Sequence, residues 1–160
     1  MKSNNEQVKI KANFNLAKVL VVDDSDDHWH LIQKALKTCL PEVASVRAST
    51  PEQALAMLKE WETQEWELPK QILLDLYLPD RKDGWRILKQ IKAMPAPLNQ
   101  IPIVMLSSST DNYDILDAYQ LGVSSYLVKP GSYEEWLAYF QELRAYWWET
   151  TTLPPLQFTV

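Results

Sequence analysis

The chain has 160 residues, 21 acidic against 16 basic side chains, a formal charge of −5 and 46% apolar residues. That length suits one domain with a real core, and the acidic balance argues against nucleic-acid binding, which favours a basic stripe. No apolar run reaches the ~20 residues that span a bilayer, residues 1–15 lack the apolar centre of a signal peptide, and the single Cys39 excludes an internal disulfide or multi-thiolate zinc site, so a cytoplasmic protein without membrane attachment is expected.

Residues 1–16 are polar and are expected to be a flexible lead-in to a domain over residues 17–148. Lys18–Val22 is a short continuous apolar run, as in strands buried on both faces. Leu31, Ile32, Ala35, Leu36, Cys39 and Leu40 then recur at helical spacing until Pro41. Val43–Ala48 predicts a second strand. Thr50-Pro51-Glu52-Gln53 opens a second helix with a capping residue, an N-terminal proline and a capping-box glutamine. Gln71–Leu76 predicts a third strand, and Trp85, Leu88 and Ile91 a short third helix. Ile103–Leu106 follows as a fourth strand, Ile115 to Leu121 as a fourth helix and Ser124–Val128 as a fifth strand. Ser132-Tyr-Glu-Glu135 is a second capping box, opening a fifth helix that bears Trp136, Leu137, Phe140, Leu143 and Trp147. The tail over residues 149–160 holds Pro154-Pro155 and cannot continue that helix. Five strands alternating with five helices predict an α/β fold with a parallel sheet covered on both faces.

Ligands of such sheets bind at the carboxyl ends of the strands. The first strand ends in Asp23-Asp24, the third in Asp75, the fourth in Ser107 and the fifth in Lys129-Pro130. Three carboxylates, a hydroxyl and an ammonium are thereby expected around one pocket. Crowded carboxylates repel one another, and a hard divalent cation such as magnesium relieves this through oxygen ligands. A carboxylate beside the metal can attack phosphorus, and catalysis then needs mainly alignment and neutralisation of the phosphoryl oxygens.

Val21-Val-Asp-Asp24, Leu73-Leu-Asp-Leu-Tyr-Leu-Pro79, Val104-Met-Leu-Ser107 and Tyr126-Leu-Val-Lys-Pro130 resemble the four signatures of response-regulator receiver domains, the phosphoacceptor switches of two-component signalling. The resemblance spans residues 17–148. It implies a flavodoxin-like doubly wound sheet in the order 2-1-3-4-5, with Asp75 as phosphoacceptor. It also implies a Mg2+ held by Asp24, Asp75 and the Tyr77 carbonyl, with Asp23 acting through a water. Ser107 and Lys129 would grip the phosphoryl group. Tyr126 matches an aromatic switch that moves inward on phosphorylation, and Tyr77 and Ser109 match positions that tune dephosphorylation. The chain departs from the family in three places. Gly84 lies five residues after Pro79 rather than four, Gly131 follows Lys129-Pro130, and the hydroxyl residue is serine.

Tyr146-Trp-Trp-Glu-Thr-Thr-Thr-Leu-Pro154 resembles the C-terminal extension of small regulators partnered with bacterial phytochromes and similar sensor kinases. The expected role is that of a stand-alone regulator, not an enzyme, which accepts a phosphoryl group from a sensor histidine kinase. Its output would come through the face of the fourth helix, fifth strand and fifth helix, by contact with an unknown partner or by homodimerisation. A phosphorylation-independent adaptor on the same fold is the alternative. His28 and His30 do not share a helical face and are expected to be surface residues. Trp136, Tyr139, Phe140, Tyr146, Trp147 and Trp148 are expected to form core or a partner surface.

Overall fold

In the computed structural model, which describes residues 1–154, β1 (Lys18–Val22), β2 (Ala44–Ala48), β3 (Gln71–Asp75), β4 (Ile103–Ser107) and β5 (Ser125–Val128) pair in parallel. Their order is β2-β1-β3-β4-β5, the doubly wound arrangement that the family resemblance implied. The continuous apolar runs are needed because successive side chains point to opposite faces and both faces are covered. Val19, Val21, Leu73, Val104 and Leu106 lie in one core layer. Leu20, Val22, Ile72, Leu74, Ile103 and Met105 lie in the other.

α2 (Asp26–Cys39) and α6 (Tyr133–Leu143) cover the first layer. α3 (Pro51–Glu62), α4 (Arg81–Lys92) and α5 (Asn112–Gln120) cover the second. Trp136 and Phe140 are buried and stacked, with ring centroids 5.6 Å apart. Each large apolar side chain buried this fully contributes roughly 1.5–3 kcal/mol. The C-terminal aromatics are thus mostly core, with Tyr146 left exposed. Beyond α6 the chain forms a π-helical turn over Arg144–Trp148.

The helix starts follow local chemistry. Ser25, Thr50 and Ser132 each accept the backbone N–H three residues on, from His28, Gln53 and Glu135 respectively. In both expected capping boxes, the returning side chain reaches one residue further back than the cap. The Gln53 side chain accepts from the Ser49 N–H at 2.8 Å, and Glu135 accepts from the Gly131 N–H at 2.8 Å.

The expectation of a flexible lead-in is corrected, and with it the helix count. α1 (Asn4–Phe14) brings the α-helices to six among the described residues. It opens on a complete capping box between Ser3 and Glu6, a signature present in the sequence. It lacks an apolar stripe because polar contacts hold it instead. Asn13 is buried, and its amide donates to the Trp148 and Thr151 carbonyls at 2.8 and 2.7 Å. The Asn13 Oδ1 accepts from the Leu153 N–H at 3.0 Å. Lys70 Nζ donates to the Ala12 and Asn13 carbonyls, satisfying the helix end. Phe14 stacks on buried Trp148, centroids 5.5 Å apart. Because Lys70 immediately precedes β3 and Gln71 begins it, this clasp closes the amino edge of the sheet. Of the expected tail over residues 149–160, residues 155–160 lie outside the described residues. No described helix is long and apolar enough to cross a membrane.

Candidate functional site

The strand order makes β1, β3, β4 and β5 consecutive, so their carboxyl ends form one continuous rim. Asp23 and Asp24 follow β1, Asp75 and Ser107 close β3 and β4, and Lys129 follows β5. Asp23, Asp75 and Ser107 are buried, whereas Asp24 is exposed. One oxygen from each of Asp23, Asp24 and Asp75 lies within 4.8 Å of the others. Three carboxylates face one ammonium there, and an oxygen-donor set of that charge and spacing fits a divalent cation.

Lys129 is the hub of the polar contacts. Its side chain is only 5% exposed, and Nζ donates to Asp23 Oδ2 at 2.9 Å and Asp75 Oδ2 at 3.2 Å. Asp23 Oδ1 accepts from the Ser25 N–H at 2.9 Å, and Asp75 Oδ1 accepts from the Tyr77 N–H at 3.3 Å. Burial pushes the Asp75 carboxyl up to about 6, the Lys129 charge opposing and the Asp23 charge reinforcing the rise. Ser107 Oγ accepts from the Ser109 N–H at 3.1 Å, which leaves its own hydroxyl hydrogen free to donate elsewhere.

The remaining candidates sit on the rim. Tyr77 is partly exposed, and its phenol donates to Asp114 Oδ2 at 3.3 Å. Tyr126 is half-buried, and its phenol donates to the Ser109 carbonyl at 2.8 Å. Gly84 lies within α4, where an added Cβ would overlap the Leu76 carbonyl. That close approach explains why glycine stands there despite the longer spacing from Pro79. The loop before α4 turns on backbone bonds from Leu78 and Asp83 N–H to the Asp80 carbonyl.

Two groups at the site were not expected. His28 was placed among surface residues, yet its half-exposed ring puts Nδ1 2.8 Å from Lys129 Nζ. The Ser25 cap offered a signal, because a helix starting immediately after a strand end presents its first turn to the rim. His30 is exposed, as expected. Asp114, in the first turn of α5, is 1% exposed and pairs with Arg81 Nη1 at 2.5 Å. Burial raises its carboxyl, but the Ser109 and Arg81 bonds, the Arg81 charge and the Tyr77 bond together hold it below the ordinary range. Nothing in the local sequence distinguishes Asp114 from exposed Asp111 three residues earlier.

The family model for the response regulator receiver domain matches residues 19–141. Response regulator Rcp1 of Synechocystis sp. is 35% identical over 137 residues, covering 85% of this chain and 92% of the relative. The probable methanogenesis regulatory protein FilR2 of Methanothrix harundinacea is 36% identical over 129 residues, covering 81% and 82%. Among solved structures, the Mn(2+)-bound form of Rcp1 superposes with a TM-score of 0.74 at 34% identity, over 86% of this chain and 99% of that one. The phosphorylated cyanobacterial phytochrome response regulator RcpA gives 0.76 at 33% identity, over 86% and 98%. On the family match over most of its length and the similarity to Rcp1, the chain belongs to the response regulator receiver domain family and signals by phosphorylation in two-component systems.

Proposed function

We propose that this chain takes a phosphoryl group onto Asp75 from a sensor histidine kinase in the presence of Mg2+. The observation that carries the reading is the convergence of Asp23, Asp24 and Asp75 oxygens within 4.8 Å beside Lys129. In this reading Asp24, Asp75 and the Tyr77 carbonyl are direct metal ligands, and Asp23 acts through water. The cation offsets the crowded carboxylates and supplies positive charge to a phosphoryl oxygen. Asp75 forms the new bond to phosphorus as the phosphohistidine nitrogen leaves. Lys129 transfers one of its hydrogen bonds from a carboxylate to a phosphoryl oxygen, and the Ser107 hydroxyl donates to another.

Charge-assisted hydrogen bonds are each worth roughly 1.5–3 kcal/mol, and inverting a 1:99 equilibrium takes about 5.5 kcal/mol. The newly made Ser107 bond therefore supplies part of that bias, and the exchanged Lys129 bond adds its gain in strength over the carboxylate bond it replaces. Tyr126 is the switch: drawing the loop after Ser107 inward shifts the Ser109 carbonyl that its phenol holds. The output face is α5, β5 and α6, where Tyr113, Leu116, Tyr119 and Val128 stand exposed. A phytochrome-like kinase is the favoured donor, supported by the likeness to RcpA.

Intact mass after incubation with acetyl phosphate and Mg2+ tests the reading. The parent is expected to gain one phosphoryl group, Asp75→Asn none, and chelator should abolish the gain. A folded parent that gains nothing while a control receiver reacts would favour the adaptor role instead.

A further inference from the structure

Asp114 lies outside the phosphoryl pocket, yet it ties together the two loops that border it. The Tyr77 phenol reaches its Oδ2 from the loop after β3, at 3.3 Å. The Ser109 hydroxyl reaches the same oxygen from the loop after β4, at 2.6 Å. Arg81, the first residue of α4, donates to Oδ1 at 2.5 Å. A carboxylate 1% exposed is costly to bury unless paired and fully bonded, so this arrangement holds its three partners firmly. β3 and β4 are neighbours, so the Tyr77–Asp114 contact spans the gap between the ends that carry Asp75 and Ser107. Ser109 is also bonded through its N–H to Ser107 Oγ and through its carbonyl to Tyr126 Oη.

We infer that Asp114 is a positioning residue: with Arg81 it braces Tyr77 and Ser109 across the mouth of the pocket and so restricts in-line access to phosphorus at Asp75. The inference rests on the phosphoacceptor reading above. In hydrolysis, a water oxygen bonds to phosphorus as the bond to Asp75 breaks. The carboxylate leaves with the electron pair, and inorganic phosphate carries off the water's protons. In phosphorylation by acetyl phosphate, the Asp75 oxygen bonds to phosphorus and acetate leaves from the same in-line position. A brace over that position slows both reactions. Releasing it speeds both, whereas damage to the fold slows both.

The test compares the parent with Asp114→Asn, Arg81→Gln and Tyr77→Phe. Asp114→Asn removes the charge that pairs with Arg81. Tyr77→Phe keeps the ring and backbone but removes the phenol's bond. Phosphoryl uptake from acetyl phosphate and loss after donor removal are followed by intact mass, and Mg2+ affinity by tryptophan fluorescence. Both rates are expected to rise, by about tenfold in Asp114→Asn, with Mg2+ affinity within twofold of the parent. Arg81→Gln and Tyr77→Phe should move both rates the same way by smaller factors. Variants at parental rates overturn the brace alone, as do variants slowed together with weakened Mg2+ binding. A parent that accepts no phosphoryl group overturns the phosphoacceptor reading and the brace with it.

Discussion

Asp75 is buried beside Asp23, and its carboxyl rises from the ordinary 3.8 to about 6. The folded chain therefore binds more protons than the unfolded chain between those values. Stability of the metal-free protein should be greatest below about pH 4 as far as this group is concerned, and fall as pH rises through 6. The size is about 3 kcal/mol, from ~1.4 kcal/mol for each pH unit. Urea unfolding in chelator at pH 4.5, 5.5 and 7 should follow that fall. Asp75→Asn should flatten it and exceed the parent at pH 7; a parent curve rising across the window would contradict the assignment. At the same scale, Gly84→Ala forces a methyl group into the Leu76 carbonyl, one residue after Asp75. Overpacking of this kind costs about 3 kcal/mol, and thermal unfolding should register it.

At the scale of elements, α1 and the segment after α6 stabilise each other through the Phe14–Trp148 stack and, above all, the hydrogen bonds of Asn13. Asn13→Ala removes three hydrogen bonds and leaves the buried Leu153 N–H without its acceptor. A loss of about 2–3 kcal/mol is expected by denaturant unfolding. The rate of phosphoryl uptake should not change, because the clasp lies at the amino edge of the sheet and the acidic cluster at the carboxyl edge. Here the apolar pattern was silent. α1 carries no stripe to predict a docked helix, and its anchors, Lys70 and Trp148, lie far along the chain. β1, β3 and β4 were legible because each is a short apolar run, whereas β2, which carries Ser45 and Arg47, gave a weaker signal. α2, α3 and α6 were legible because their buried residues recur at helical spacing.

At the scale of the molecule, the exposed side chains of α5 and β5 leave Tyr113, Leu116, Tyr119 and Val128 on one side of the sheet. Apolar residues grouped on a surface are the material of an interface. Phosphorylated protein is expected to sediment as a dimer, and Leu116→Glu as a monomer that still gains its phosphoryl group. A monomeric phosphorylated parent would leave that face to a different output partner.

The sequence by itself determined the sheet and the identity of its rim. Local apolar runs specify parallel strands, and the residue closing each strand is then carried to the carboxyl edge by topology alone. Asp23, Asp24, Asp75, Ser107 and Lys129 were therefore identifiable without coordinates. Only the tertiary structure decided that His28 meets Lys129, that Asp114 rather than Asp111 is buried, and that the polar N-terminal segment docks as a helix. Those outcomes depend on which polar atoms meet across distant segments, and hydrogen-bond pairing, unlike apolar burial, leaves no periodic trace in a chain.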